Sequence, residues 1–255
     1  MKDFLFFAIT HPAIVLNTLL KKPLTEQQRE KITFALINKI ESKCNIGNNV
    51  LKKYHDELKN NHELISYINT SLKNLPNTGA FNPTFQTVIY ALIRHLMPEN
   101  IVETGVANGV SSTIILTALD LNNKGKLHSV DLPTTYWENT PYREEDKVQV
   151  KNNDVGWIIP QNLRGRWKLN LGKSKEKLPD IFNQIKKCEI FFHDSEHSYD
   201  NMTFEFNIAW PSITKRGIII ADDVHRNKAF DDFVNRYKTE IISLKIGQFG
   251  LIMKK

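Results

Sequence analysis

The chain has only two cysteines, Cys44 and Cys188, far apart and in unrelated contexts. Neither a disulfide framework nor a thiolate metal site is implied, and a reducing cytoplasm is the simplest home. An uninterrupted apolar span is also missing: the one candidate, residues 4–20, is broken by His11, Pro12 and Asn17, and no small-residue cleavage site follows it. That run reads as a packed or interfacial helix, with weak membrane-surface contact, helped by Lys21 and Lys22, left open. No stripe of Arg and Lys interleaved with aromatics occurs, so the net charge of +6 is diffuse and no nucleic-acid partner is expected. Repeats and low-complexity tracts are absent too. At 255 residues the chain can bury one sizeable core with a helical extension.

The informative stretch is residues 100–112, Asn-Ile-Val-Glu-Thr-Gly-Val-Ala-Asn-Gly-Val-Ser-Ser. Ile101 and Val102 read as the end of a buried strand, Gly105 to Gly109 as a glycine-bearing turn, and Val110, Ile114, Leu116 and Leu119 as one face of a helix. Such a turn leaves backbone N–H groups free at the helix start, and the missing Cβ atoms of Gly105 and Gly109 are expected to let a ligand approach. The dinucleotide fingerprint G-x-G-x-x-G is not met, because Ala107 stands at its second glycine and the third is missing. NAD is therefore disfavoured. Glu103 adds a carboxylate that would repel a pyrophosphate but welcome an amino group and a sulfonium, as in S-adenosylmethionine.

Around this stretch the apolar spacing is helical on one side and alternates with strands on the other. Ile32, Leu36 and Ile40, then Leu51, Tyr54 and Leu58, mark two helices separated over residues 45–49. The turn formers of Leu75-Pro76-Asn77-Thr78-Gly79 divide an N-terminal helical region, 1–80, from an α/β domain, 81–255. Further strands are predicted over residues 125–131, 168–171, 189–193 and 217–221, the last purely aliphatic and so buried on both faces. Residues 241–246 and 250–254 are joined by so short a link that they must pair antiparallel. The connection over residues 132–167 is long and carries Tyr136, Trp137, Tyr142, Trp157 and Trp167; it is either a lid or an insert packed on the sheet.

Chemistry-bearing residues fall at the ends of these strands. Asp131 closes the second strand, where a carboxylate can accept from the ribose hydroxyls of an adenosine. Gly172-Lys173-Ser174 opens the next helix with small residues suited to an adenine edge; it is no P-loop, since Trp167 stands where the first glycine would be required. After the fourth strand comes Asp194-Ser195-Glu196-His197-Ser198-Tyr199, and after the fifth Asp222-Asp223-Val224-His225. Adjacent strands lie roughly 4.8 Å apart, so Asp194, Asp222 and Asp223 can share one hard divalent cation, provided that the chain turns at Asp223 to bring both neighbours inward. His197 is close enough to remove a proton from a hydroxyl acidified by that ion. His193 and His225 read as supporting residues.

Residues 102–112 resemble the first motif of class I S-adenosylmethionine-dependent methyltransferases. The Asp-x-x-His with its later Asp-Asp resembles the divalent-cation-dependent O-methyltransferases that act on macrolide sugars, and Gly-Lys-Ser before Leu178-Pro179 resembles the adenine-side turn of catechol O-methyltransferase-like enzymes. Catechol-type enzymes carry Lys where His197 stands, which sides this chain with the sugar-modifying group. The resemblance covers residues 81–255. It implies a Rossmann-like α/β sheet of seven strands with an antiparallel last strand; the helical region before it lies outside the resemblance. It implies S-adenosylmethionine held by Glu103, Gly105, Ala107, Asn108, Gly109, Ser111, Asp131, Ser174 and Asp194, a divalent cation, Mg²⁺ first, on Asp194, Asp222 and Asp223, and His197 as catalytic base. The acceptor would be a hydroxyl of a small molecule or sugar. A nicotinamide-binding oxidoreductase and a non-catalytic nucleotide-binding scaffold are the alternatives, and a homo-oligomer stays open.

Overall fold

The computed structural model describes residues 25–75, 82–132, 148, 150–151 and 154–255. The apolar run of residues 4–20, the join at 76–81 and the aromatics Tyr136, Trp137 and Tyr142 lie outside the described residues.

Among the described residues four helices come first: α1 (Glu26–Cys44), α2 (Val50–Lys59), α3 (His62–Leu72) and α4 (Pro83–Leu96). Local chemistry sets their ends. Thr25 and Gln28 form a capping box at the start of α1, and Asn45 ends it in the left-handed region at φ 52°. Glu41, buried in α1, accepts from the Asn49 and Leu51 amides and so satisfies the first turn of α2. Arg94 of α4 pairs with Glu57 of α2 at 2.7 Å and also reaches Asn122 at the end of the helix that follows the glycine turn.

A seven-stranded sheet follows: β1 (Asn100–Thr104), β2 (Lys126–Asp131), β3 (Trp167–Leu171), β4 (Cys188–His193), β5 (Ile213–Ala221), β6 (Ile241–Ile246) and β7 (Phe249–Lys254), in the order β3-β2-β1-β4-β5-β7-β6. The first five are parallel, and β7 runs antiparallel to both β5 and β6. The predicted end hairpin is therefore present, its two-residue link carrying Gly247 at φ 58°. Helices α5 (Val110–Leu121), α6 (Ser174–Ile185), α7 (Tyr199–Ala209) and α8 (Ala229–Arg236) complete the chain.

Two apolar cores flank the sheet. One joins Leu36, Ile40, Leu51 and Leu58 of the helical region to Val88, Ile101, Ile114 and Ile190, so the helical region shares a core with one sheet face. The other joins Val102, Phe191 and Ile219 to Leu178, Phe206 and Phe233 on the opposite face. That three-layer arrangement is a doubly wound α/β fold. No helix among the described residues is long and apolar enough to cross a membrane.

Candidate active site

Strand order reverses between β1 and β4, which places a crevice at the carboxyl ends of the parallel strands. The hydrogen-bond ladder runs one residue past each strand there. Gly105 donates to Val130, Asp194 to Thr104, Asp222 to His193 and Gly172 to Asp131, all at 2.8–3.0 Å. Gly105, Asp131, Asp194 and Asp222 are thus set side by side by backbone alone.

The glycine turn differs from its expected role. Gly105 and Gly109 have φ of 85° and 95°, but the space a Cβ would take is filled by the protein. A Cβ on Gly105 would meet the Asp194 carbonyl oxygen at 1.9 Å, and one on Gly109 would meet the Gly156 Cα at 2.9 Å. The glycines therefore admit neighbouring backbone, not a ligand. Ala107 is also left-handed, at φ 50°. Its carbonyl accepts from the Gly156 amide, and buried Asn108 accepts from the Trp157 indole at 2.6 Å. With Ile158 and Ile159 buried and Tyr67 of α3 donating to the Ile158 carbonyl, residues 154–160 pack on the turn, while most of the connection before them lies outside the described residues.

Glu103 likewise has another task. It is wholly buried and accepts from the hydroxyls of Ser111, Ser112 and Ser129 at 2.6–2.8 Å. Burial raises its carboxyl to about 7 against the pull of those three hydroxyls. A carboxylate so enclosed is not presented to a ligand's amino group, and Ser111 spends its hydroxyl on Glu103. Asp131 is more open. Its Oδ2 accepts from the Val106 and Ala107 amides at 2.9 and 2.7 Å, but its Oδ1, among the described residues, takes only the Leu132 amide. A hydroxyl can still be accepted there. Ser174 begins α6, beside Glu205, whose carboxyl it helps to hold below its ordinary value.

On the β4 and β5 side the expected acidic group forms, with one change. Asp194, His197 and Asp222 each bring a ligand atom within 4.8 Å of the others. Asp223 turns the chain at the strand end as required, with φ 52°, yet its carboxylate takes the Arg226 guanidinium at 2.5 Å. His197 sits between two carboxylates, 3.8 Å from Asp194 and 3.8 Å from Asp223. Geometry therefore favours His197 over Asp223 as third member of the group. Burial, then repulsion by Asp222 and Glu103, pushes the Asp194 carboxyl well above the carboxylate range. Burial and Asp223 push Asp222 up to about 6. Burial, His193 and Arg226 push His197 down to about 3, so its imidazole is neutral, and its buried Nε2 has no hydrogen-bond partner among the described residues. The cluster is short of positive charge, and its donor set of carboxylate oxygens and imidazole nitrogen suits a divalent cation.

Beneath the cluster lies a residue that sequence reading missed. Glu205 of α7 is wholly buried and accepts from His193, Thr104, Ser195 and Asn201 at 2.6–3.0 Å. A signal for it exists: Met202, Phe206 and Ala209 make the buried face of α7, and Glu205 falls on that face where a solvated charge would not.

Comparison with known proteins agrees with this fold. Residues 102–224 match the family described as a methyltransferase domain. An O-methyltransferase from Bacillus cereus solved with S-adenosylhomocysteine superimposes with a TM-score of 0.52 at 17% identity, covering 87% of this chain and 97% of that one. A methyltransferase from Podospora anserina, also bound to S-adenosylhomocysteine, gives 0.55 at 13% identity over 91% and 97%. An O-methyltransferase of tomaymycin synthesis from Streptomyces achromogenes, bound to S-adenosylmethionine, gives 0.51 at 16% identity over 76% and 90%. No curated protein matches the sequence significantly. Residues 102–224 are thus similar to a methyltransferase domain, and the chain shares the fold of these solved methyltransferases.

Proposed function

We propose that the chain transfers a methyl group from S-adenosylmethionine to a hydroxyl of a small molecule or sugar, assisted by a divalent cation. The observation that carries this reading is the meeting, on one sheet edge, of Asp131 beside the glycine turn with the charge-deficient cluster of Asp194, His197 and Asp222. The neighbouring folds solved with S-adenosylmethionine or its demethylated product support the cofactor. Mg²⁺ is the first choice of ion for a site dominated by carboxylate oxygen.

When bound, the sulfonium supplies an activated methyl group and the cation lowers the pKa of a hydroxyl oxygen. The chain's own residues do the rest. Asp131 accepts a ribose hydroxyl through Oδ1. Asp194 and Asp222 hold positive charge at the crevice and orient the acceptor. His197, neutral through burial, has an Nε2 unpartnered among the described residues and able to take the acceptor proton or complete the ligand set.

Calorimetric titration with S-adenosylmethionine, S-adenosylhomocysteine and NAD tests the cofactor; binding of NAD with no response to the other two would end this reading. Incubating the protein and Mg²⁺ with isotope-labelled S-adenosylmethionine and a metabolite extract should label one product, whose mass identifies the acceptor. Full transfer in excess chelator would remove the cation from the mechanism.

A further inference from the structure

A buried carboxylate is costly, and an apolar side chain of similar volume is often as stabilising as a buried ion pair. Glu205 has no exposed surface, yet it collects donors from several separate segments: Thr104 at the end of β1, His193 at the end of β4, Ser195 just beyond it and Asn201 on its own helix. Burial alone would raise its carboxyl, but attraction from His193 and these hydrogen bonds hold it below its ordinary value, so Glu205 is an anion in the interior.

Three of the donors, His193, Ser195 and Asn201, bracket the loop that carries Asp194 and His197. Asp194 lies between His193 and Ser195, both held directly by Glu205. Asn201 donates to Glu205 and also to the Ser195 hydroxyl and the Glu196 carbonyl, which ties the next residue of the loop. His197 follows, its ring edge-on to His193 at 5.3 Å between centroids. The His193 Nδ1 faces Glu205 at 2.6 Å, so the orientation of the ring on which His197 rests is set from beneath.

We propose that Glu205 is a positioning residue for the reaction centre: by accepting from His193, Ser195 and Asn201 at once, it holds Asp194 and His197 where the cation and the acceptor need them. This rests on the reading of Asp194 and Asp222 as a cation site. Partners of this kind that orient metal ligands typically cost about 10–100-fold in metal affinity when removed.

The test uses the full chain with Glu205→Gln, which keeps the shape but loses one acceptor oxygen, and Ser195→Ala, which cuts only the loop tether. Mn²⁺ affinity is read by electron paramagnetic resonance, S-adenosylhomocysteine affinity by calorimetry, and the His193 imidazole by nitrogen-15 NMR. Glu205→Gln should weaken Mn²⁺ binding about tenfold or more, shift the His193 signal, and leave S-adenosylhomocysteine affinity within about twofold. Ser195→Ala should weaken Mn²⁺ by a smaller factor. Unchanged Mn²⁺ affinity together with a shifted His193 signal would overturn the proposal. Should Glu205→Gln not fold, Ser195→Ala decides by the same criterion. If the unaltered protein takes no Mn²⁺, the cation reading fails by itself. Positioning then stands or falls on hydrogen exchange in Glu205→Gln: acceleration confined to residues 194–198 supports it, and a uniform change overturns it.

Discussion

Glu103 and Asp222 stand two strands apart in one sheet, nearly equally buried, and meet opposite surroundings. Glu103 takes three hydroxyl donors, two from the start of α5 and one from β2, so its oxygens are satisfied within the fold. Asp222 takes the Gln248 amide and the Asp223 backbone, yet burial and the Asp223 carboxylate still push it up. Asp194 has less: among the described residues no hydrogen bond reaches its carboxylate, and the His197 ring nitrogen lies 3.8 Å away. Half of the acidic edge is scaffolding that sets the shape of the glycine turn. The other half is left incomplete, and an incomplete buried carboxylate marks the place where a ligand with positive charge belongs.

The contrast breaks most sharply under substitution. Asp222→Ala and Asp194→Asn should each lower Mn²⁺ affinity by more than about a hundredfold, beyond the range typical of partners outside the ligand set. Without metal, both variants should melt no lower than the parent, because each removes a repelled buried charge. Glu103→Ala should do the reverse: it strands three buried hydroxyls and opens a cavity, for a loss of about 2–5 kcal/mol in chemical denaturation, with Mn²⁺ affinity of the remaining folded protein little changed. Equal loss of metal binding in both classes would erase the distinction.

The sequence shows the architecture more readily than this division of labour. Alternation of strand and helix, the glycine turn and the short link at Gly247 are local signals, and each is present where residues 100–112 and 241–254 placed it. Partnership is not local. Ser129, which satisfies Glu103, lies on the neighbouring strand, and Gly156, which fills the space at Gly109, comes from a connection more than forty residues downstream. Asp223 was legible as a turn-forming acid, but Arg226, which takes its carboxylate, reads in sequence as an ordinary surface residue. Glu205 was overlooked because a charged residue in a helix is usually solvated.

A pH series sharpens the same comparison. Asp222 at about 6, and Asp194 above the carboxylate range, bind protons in the folded state that the unfolded chain releases near pH 4. For carboxyls raised on folding, their contribution is fully present below the unfolded value and is lost as pH rises through the folded one. Metal-free protein should therefore lose stability between about pH 4 and 7, by roughly 1–3 kcal/mol from Asp222. Divalent cation favours the ionised carboxylates, so the rise in melting temperature on adding Mg²⁺ should be larger at pH 8 than at pH 5. An equal rise at both would mean that the ion binds elsewhere.

The smallest expected effect falls on Asp223. With its carboxylate 2.5 Å from Arg226 and its backbone left-handed, Asp223 holds the corner after β5 more than it faces the cluster. Asp223→Asn, which keeps a residue tolerant of that conformation, should reduce Mn²⁺ affinity by less than about tenfold, at the lower edge of what outer partners of a metal site contribute. Asp223→Ala adds backbone strain and should cost more stability than metal affinity. Binding isotherms for the two variants beside Asp222→Ala would rank the three directly. A loss at Asp223→Asn as large as at Asp222→Ala would mean that Arg226 gives up the carboxylate when the ion arrives. The ligand set would then be Asp194, Asp222 and Asp223, and His197 would be left to handle the proton alone.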